Sequence, residues 1–491
     1  MFLEKILCSF HQYSQRPAFC IDGTYYNYGD FFVRVSSIFT DINENYHDEI
    51  YGVTVHSSLN TYASVIAILL SGKTYVPIHP GYPRERIEQI IGQSGLKRIL
   101  GKDSDSFLSV ETIVNDRFVD RGDKPVALHH FDVTRQNAYI LFTSGSTGVP
   151  KGVPITYYNL DSFCNSFLKL GYVLSENDRF LQMFDLTFDL SVMSYLIPLC
   201  LGACVYPVPD RGLKYVSVYN TISDHDITFA LMVPSILSSL KSYFCEIELH
   251  SLRYSLFCGE ALHDDLTQLW MKCAPNAIVE NVYGPTEATI FCMACKMSAT
   301  HEIPAYNGIV SIGKPMEGMA VAVVNDDDRK VGLGEKGQLC LHGDQLTPGY
   351  LDAERTKTAF ISLDNNIYYK TGDIVFENND GNFFYCGRVD HQVKIQGHRV
   401  ELSEIEFHLR NILGIPNVIA LFVESEATGL GQIQIAVEGV EQDITGINIS
   451  LKNMLPSYMI PSSYHFVPLF PLNTNGKVDR KAIQTELFNK P

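Results

Sequence analysis

The sequence predicts an α/β protein that ends in a small α+β lid. Three patterns predict it. Short apolar runs rich in β-branched residues alternate with helical patterns through the first four-fifths of the chain, as strands and helices in layers do. From Gly337 onward the text becomes richer in glycine and in short strands. After Asp390 it reads strand, helix, strand, strand, helix. At 491 residues the chain exceeds what one core supports, so two or three domains are expected.

In chain order, IYGVTVH (Ile50 to His56) is the first strand of the series, and Ala63 to Leu70 an apolar helix too short to cross a bilayer. SGKT (Ser71 to Thr74) imitates the end of a Walker phosphate loop, but Ala67 stands where its first glycine belongs. The strand TYVPI (Thr74 to Ile78) follows rather than precedes it, which is the wrong order for such a loop. NAYILFT, ACVYPV, ITFALMVP and GQLCLHG continue the strands. NNDG (Asn378 to Gly381) marks a hairpin turn. A hinge is placed near Gly387 to Asp390, and a helix over Ser403 to Leu413.

Formal net charge is −17, from 38 basic and 55 acidic side chains. That argues against broad binding to nucleic acid or anionic membranes. The N-terminus carries Glu4 and Lys5 inside its short apolar patch and lacks a signal-peptide layout. Twelve cysteines form no framework, and Cys292 and Cys295 make a lone C-x-x-C without a second pair. Neither a zinc site nor membrane insertion is expected, and a reducing cytoplasm is.

The most informative stretch is LFTSGSTGVPKGV, Leu141 to Val153. An apolar strand runs into Thr143, Ser144, Ser146 and Thr147, set between Gly145 and Gly148, and Lys151 and Gly152 close it. Glycines allow close approach to a ligand, and clustered hydroxyls and free N–H groups bind phosphate oxygens. The spacing is not that of a Walker loop, since only two residues separate Gly148 from Lys151.

Further segments accompany this loop in a fixed order: YVPIHPGYP from Tyr75, FDLSVM (Phe188 to Met193), NVYGPTEATI (Asn281 to Ile290), YKTGDI (Tyr369 to Ile374), GRVDHQVKIQGHRVELSEIE (Gly387 to Glu406) and NTNGKVDRKAI (Asn473 to Ile483). Together they resemble the core motifs of the adenylate-forming superfamily. The likeness is greatest to amino-acid adenylation domains of nonribosomal peptide synthetases and to D-alanine–carrier protein ligases. The resemblance implies a large N-terminal domain of mixed sheets flanked by helices (residues 1–389) and a small mobile α+β C-terminal domain (390–491), turning about Asp390.

It also implies ATP with Mg²⁺, an amino acid as small-molecule substrate, and the phosphopantetheine arm of a carrier protein as acceptor. Thr143, Ser144, Thr147 and Lys151 would contact the β- and γ-phosphates. Tyr283 would lie on the adenine, Thr286 would bond the α-phosphate and Glu287 would hold Mg²⁺. Asp373 suits the ribose hydroxyls, because a carboxylate accepts two hydrogen bonds at once, and Arg388 stands beside it. Lys477 would reach the α-phosphate and the substrate carboxylate. Taken singly, Asp373 and Glu287 would cap helices or turns, and Lys477 would be a solvated lysine. The ordered set of motifs reverses those odds.

Asp189 matches the position that binds the substrate's α-ammonium in amino-acid adenylation domains. A buried carboxylate is costly without a partner, and fatty-acyl and aryl ligases have no need of it. Asp185 competes by composition, while the motif register favours Asp189. Leu190, Met193, Leu231, Leu256, Cys258, Val282, Ile290 and Phe291 match the side-chain pocket, and none is charged. LFCGEAL and FDLSVM look especially like the D-alanine ligases, whereas Val282, Ile290 and Phe291 are larger than expected there. Alanine-like substrates of either hand come first. A proline or branched aliphatic substrate and an acyl-CoA ligase are the alternatives. Neither a condensation motif nor a serine-bearing carrier motif is recognisable, so a stand-alone ligase is expected.

Overall fold

The computed structural model describes every residue except 103–104, 106–109, 116–131, 133, 146–147, 298–301, 391, 425–429, 472–477 and 489–491. The chain forms two compact units. The first comprises Met1–Pro80, Ile91–Phe142 and Gly152–Val389, and the second Gly81–Ile90, Thr143–Lys151 and Asp390–Pro491. The segment with the hydroxyl-rich loop therefore belongs to the second unit.

The first unit holds a nine-stranded sheet in the order Lys314–Pro315, Met293–Met297, Ile278–Tyr283, Tyr254–Phe257, Phe229–Met232, Arg179–Gln182, Cys204–Pro207, Pro17–Ile21, Thr24–Asn27. Its interior strands pair in parallel and antiparallel partners close both edges. Interior parallel strands are buried on both faces, so they read as continuous apolar runs such as FALM and YSLF. A six-stranded sheet contains Ile50–Thr54, Thr74–Ile78 and Asn137–Thr143, and a five-stranded antiparallel sheet contains Asn366–Glu377 paired with Phe383–Arg388. The expected α/β class is observed. The hairpin at NNDG forms, with Gly381 at φ 76°, and SGKT lies between the helix Leu59–Leu70 and the strand Thr74–Ile78 as expected.

The helix Asp189–Leu201 is buried along nearly its whole circumference, and a helix apolar all round has to lie in the interior. It ends at Gly202, whose φ is 77° and where a Cβ would stand 2.1 Å from the Tyr13 ring. The helices Tyr28–Glu44 and Tyr157–Leu168 start on capping boxes built by Asn27 with Asp30 and by Thr156 with Asn159. The single tryptophan, Trp270, is buried and donates to Ser255 Oγ at 2.9 Å. Among the described residues no helix is long and apolar enough to cross a membrane.

In the second unit the hairpin Gln392–Ile395/His398–Glu401 leads into the helix Leu402–Leu413, which stops at Gly414 with φ 66°. The helix lies one residue from its expected start. Strands Val418–Glu424 and Gly431–Glu438 pair antiparallel. The strand Ser463–Val467 then joins Gly431–Glu438 in parallel. This last strand is absent from the expected order. SYHFV is short, carries two polar residues and follows a proline, so only its parallel partner makes it a strand. Ile405, Leu409, Val418, Ile435, Leu451 and Met459 form the core of the unit.

Candidate active site

The residues expected to line the acid side all lie within the first unit. Leu190 and Met193 come from the helix Asp189–Leu201, Leu231 and Leu256 face each other across neighbouring strands, and Cys258 continues the second of these. Val282, Ile290 and Phe291 come from the strand Ile278–Tyr283 and the loop after it. All eight fall in one buried apolar cluster. Asp189 begins the helix at 7% exposure. Burial, and then the Asp189 carboxylate, hold the Tyr139 phenol well above its ordinary range. Asp185 is differently employed: its Oδ1 accepts from the Thr187 N–H at 2.8 Å and Thr187 Oγ1 at 2.6 Å, a local turn bond.

Phe163, from the helix Tyr157–Leu168, meets the Phe291 ring edge-on at 5.1 Å, and Phe167 lies 6.3 Å from it. Such aromatic pairs resist displacement beyond their buried area. Phe163 carries no motif signal; only the tertiary contact marks it.

The segment Tyr283–Cys292 is a tight loop closed by the Cys292 N–H on the Tyr283 carbonyl at 2.8 Å. Gly284 is required there, because a Cβ would lie 2.4 Å from Phe291 Cα. Glu287 is fully buried and its Oε1 accepts from Tyr350 OH at 2.6 Å. Thr286 opens the single turn Thr286–Ala288 that presents it.

Tyr283, Asp373 and Arg388 come together. Tyr283 OH donates to Asp373 Oδ2 at 2.5 Å, Arg388 Nη1 donates to Asp373 Oδ1 at 2.5 Å, and Arg388 Nη2 donates to the Thr371 carbonyl at 3.2 Å. Arg388 and Asp373 are register partners across the Asn366–Glu377/Phe383–Arg388 hairpin, which is why residues fifteen apart in sequence share one carboxylate. Burial, then the Asp373 charge, push the Tyr283 phenol well above its usual range.

In the second unit the loop's polar groups are engaged by the segment Arg399 to Glu404. Ser144 Oγ donates to the Arg399 carbonyl at 2.7 Å and accepts from the Glu401 N–H at 3.1 Å. The Gly145 N–H donates to Glu404 Oε2 at 3.1 Å, and Lys151 Nζ to Glu401 Oε1 at 2.9 Å. Glu404 also pairs with the buried Arg86 at 3.1 Å. Burial raises the Glu404 carboxyl above its ordinary value, against the Arg86 charge and the Gly145 N–H, which lower it. Thr143 Oγ1, by contrast, is buried with no hydrogen-bond partner among the described residues. Asp390 Oδ1 accepts from the Gln392 N–H at 3.2 Å. Ser146, Thr147 and Lys477 lie outside the described residues.

A family model described as "AMP-binding enzyme" matches residues 9–351. The chain belongs to the AMP-binding enzyme family. This bears out the resemblance read from the motifs. The AMP-binding enzyme is 30% identical to the D-alanine–D-alanyl carrier protein ligase of Bacillus cereus (strain G9842), over 89% of each chain. It is 33% identical to bacitracin synthase 3 of Bacillus licheniformis over 89% of its own length, but spans 7% of that synthase. Across the large synthases it matches, its share is 7% to 12%. The solved adenylation domain AlmE of Vibrio cholerae, in complex with glycyl-adenosine-5'-phosphate, is 27% identical with a TM-score of 0.89 over 100% of this chain and 98% of that one.

Proposed function

We propose that the enzyme activates a small amino acid with ATP and transfers it to the phosphopantetheine thiol of a separate carrier protein. The observation that carries this reading is the buried Asp189, first residue of the helix that supplies Leu190 and Met193 to an apolar cluster. An ammonium is the natural counter-charge for such a carboxylate. Phe291, backed by Phe163 and Phe167, supports a side chain of about methyl size. The relatives point the same way, since one is named for D-alanine and another is bound to a glycyl adenylate.

In the first half-reaction a substrate carboxylate oxygen bonds the α-phosphorus of ATP, and the bond from that phosphorus to the bridging oxygen breaks, releasing pyrophosphate. Two anions meet, so donors and cations must neutralise the growing charge. Thr143 Oγ1, buried and without a partner among the described residues, fits a phosphate oxygen. Lys151 and Ser144 exchange their present partners for the β- and γ-phosphates. Asp373 keeps lone pairs for the ribose hydroxyls beside its bonds to Tyr283 and Arg388. Those bonds also fix the Tyr283 ring as a platform for adenine. Thr286 bonds the α-phosphate, and Lys477 the α-phosphate and the substrate carboxylate.

Mg²⁺ prefers few protein ligands together with phosphate oxygens. Glu287, a buried carboxylate oriented by Tyr350, fits as its protein ligand, and the ion would supply charge neutralisation there. In the second half-reaction the pantetheine sulfur bonds the acyl carbon and AMP leaves with its phosphate oxygen. Rotation about Asp390 between the two steps belongs to this reading.

The test is amino-acid-dependent ATP–pyrophosphate exchange across glycine and both enantiomers of the common amino acids. Exchange with glycine or alanine, and little with larger side chains, is expected, and Lys477→Ala should nearly abolish it. No exchange with any amino acid, together with thioester formation from free coenzyme A and a plain carboxylic acid, would replace this reading with an acyl-CoA ligase.

A further inference from the structure

Between Glu287 and Phe291 the backbone takes an unusual path. Thr289 and Ile290 have φ of 55° and 73° in succession. Left-handed backbone is costly for any β-branched residue and persists only where the surroundings impose it. Here the surroundings include one side chain. Gln345 is 1% exposed; its Nε2 donates to the Phe291 carbonyl at 2.9 Å and reaches the Ala288 and Thr289 carbonyls, both at 3.3 Å. In return Thr289 Oγ1 donates to the Gln345 carbonyl at 2.5 Å.

The amide is used as a donor alone, for Gln345 Oε1 is buried without a partner among the described residues. The opposite rotamer would aim that oxygen at three carbonyl oxygens. A carboxylate in its place would do so with a full charge.

We propose that Gln345 is a positioning residue for substrate selectivity: by gathering the carbonyls of residues 288, 289 and 291 it holds the Thr289–Ile290 turn left-handed, and so keeps Ile290 and Phe291 in the pocket wall. The inference rests on the reading that these two side chains face the substrate. Gln345 lies more than fifty residues further along the chain and touches no reacting atom. Its effect is on which acid fits. With the clamp removed, the turn relaxes towards ordinary backbone, Phe291 loses its fixed stand against Phe163, and larger side chains are admitted.

The experiment measures exchange in the wild type, Gln345→Ala and Gln345→Glu, with alanine and leucine each in its better enantiomer, alongside melting temperature. The expected result for Gln345→Ala is a fall of about tenfold or more in the alanine-to-leucine ratio of kcat/KM, carried by KM. Gln345→Glu should be weak near pH 8 and regain activity relative to wild type towards about pH 6, because a protonated carboxyl again supplies one donor. An unmoved ratio in Gln345→Ala, with both amino acids falling together, overturns the inference and leaves a merely structural glutamine. Should Gln345→Ala fail to fold, a flat relative pH profile in Gln345→Glu overturns it instead. Wild-type protein without amino-acid-dependent exchange removes the pocket reading itself, and this inference with it.

Discussion

The proposed acid pocket and the proposed phosphate loop are built on opposite plans. The first is a set of buried apolar side chains joined in a single cluster, with the buried Asp189 at the start of the helix that supplies two of them. The loop is a set of polar groups, and those of Ser144, Gly145 and Lys151 are each bonded to a residue between Arg399 and Glu404. Apolar surfaces have no partner to give up when a ligand enters. Buried polar groups are as a rule already satisfied, so on the proposed reading Ser144, Gly145 and Lys151 bind phosphate by exchange, while Thr143 Oγ1 has no partner among the described residues to give up. On the proposed reading the two carboxylates that engage it, Glu401 and Glu404, stand where phosphate oxygens would bind.

The largest expected effect tests the pocket. Asp189→Ala should lower kcat/KM for the amino acid by at least about 30-fold, in keeping with the roughly 2–5 kcal/mol lost when one partner of a buried charge pair is removed. The KM for ATP should stay unchanged. An equal loss for both substrates would mean that Asp189 supports the helix rather than the ammonium.

A smaller pair of effects, of opposite sign, tests the loop. Lys151→Ala should raise the KM for ATP about tenfold, the scale of one charge-assisted hydrogen bond. Glu401→Gln should lower it, by about threefold, because the lysine then gives up a neutral amide instead of a carboxylate. If Glu401→Gln leaves the KM for ATP unmoved, the bond from Lys151 to Glu401 costs the ligand nothing and the contrast between the two regions weakens.

The smallest effect concerns His408, whose Nε2 stands 3.3 Å from where a Cβ on Gly148 would be. Burial pulls the His408 imidazole below its ordinary value of 6.5, with Glu85 opposing and Arg86 reinforcing the shift. The folded state therefore prefers neutral His408. That contribution is complete above pH 6.5 and is lost as pH falls through 6.5 towards the depressed value. His408→Gln should flatten the fall of melting temperature on acidification. An unchanged slope would place the acid sensitivity elsewhere, with His465, also depressed by burial, the next residue to replace.

Much of the site was legible because its signals are local. Thr143, Ser144 and Lys151 sit in one loop, Thr286 and Glu287 in another, and turn chemistry gave the NNDG hairpin. The expected pocket residues came from the resemblance to adenylation domains, and the structure gathers all eight in one buried cluster. The partners could not be named. Tyr350 reaches Glu287 across 63 positions, Glu404 reaches Gly145 across 259, and Gln345 reaches Phe291 across 54. Nothing in TPGYLD or VELSEIE announces those contacts, and an acid in a helix's first turn is ordinary there in any case.

By itself, then, the chain's text determined the α/β class, the family and the residue types of both regions, because strand alternation, glycine loops and ordered motifs depend only on neighbours in sequence. Tertiary structure alone decided how those groups are committed: Tyr283 and Arg388 on one carboxylate, Glu401 on Lys151, Gln345 on a strained turn. The physical reason is that a hydrogen bond is satisfied by whatever donor or acceptor the fold brings within about 3 Å, and proximity of that kind is not written in sequence order.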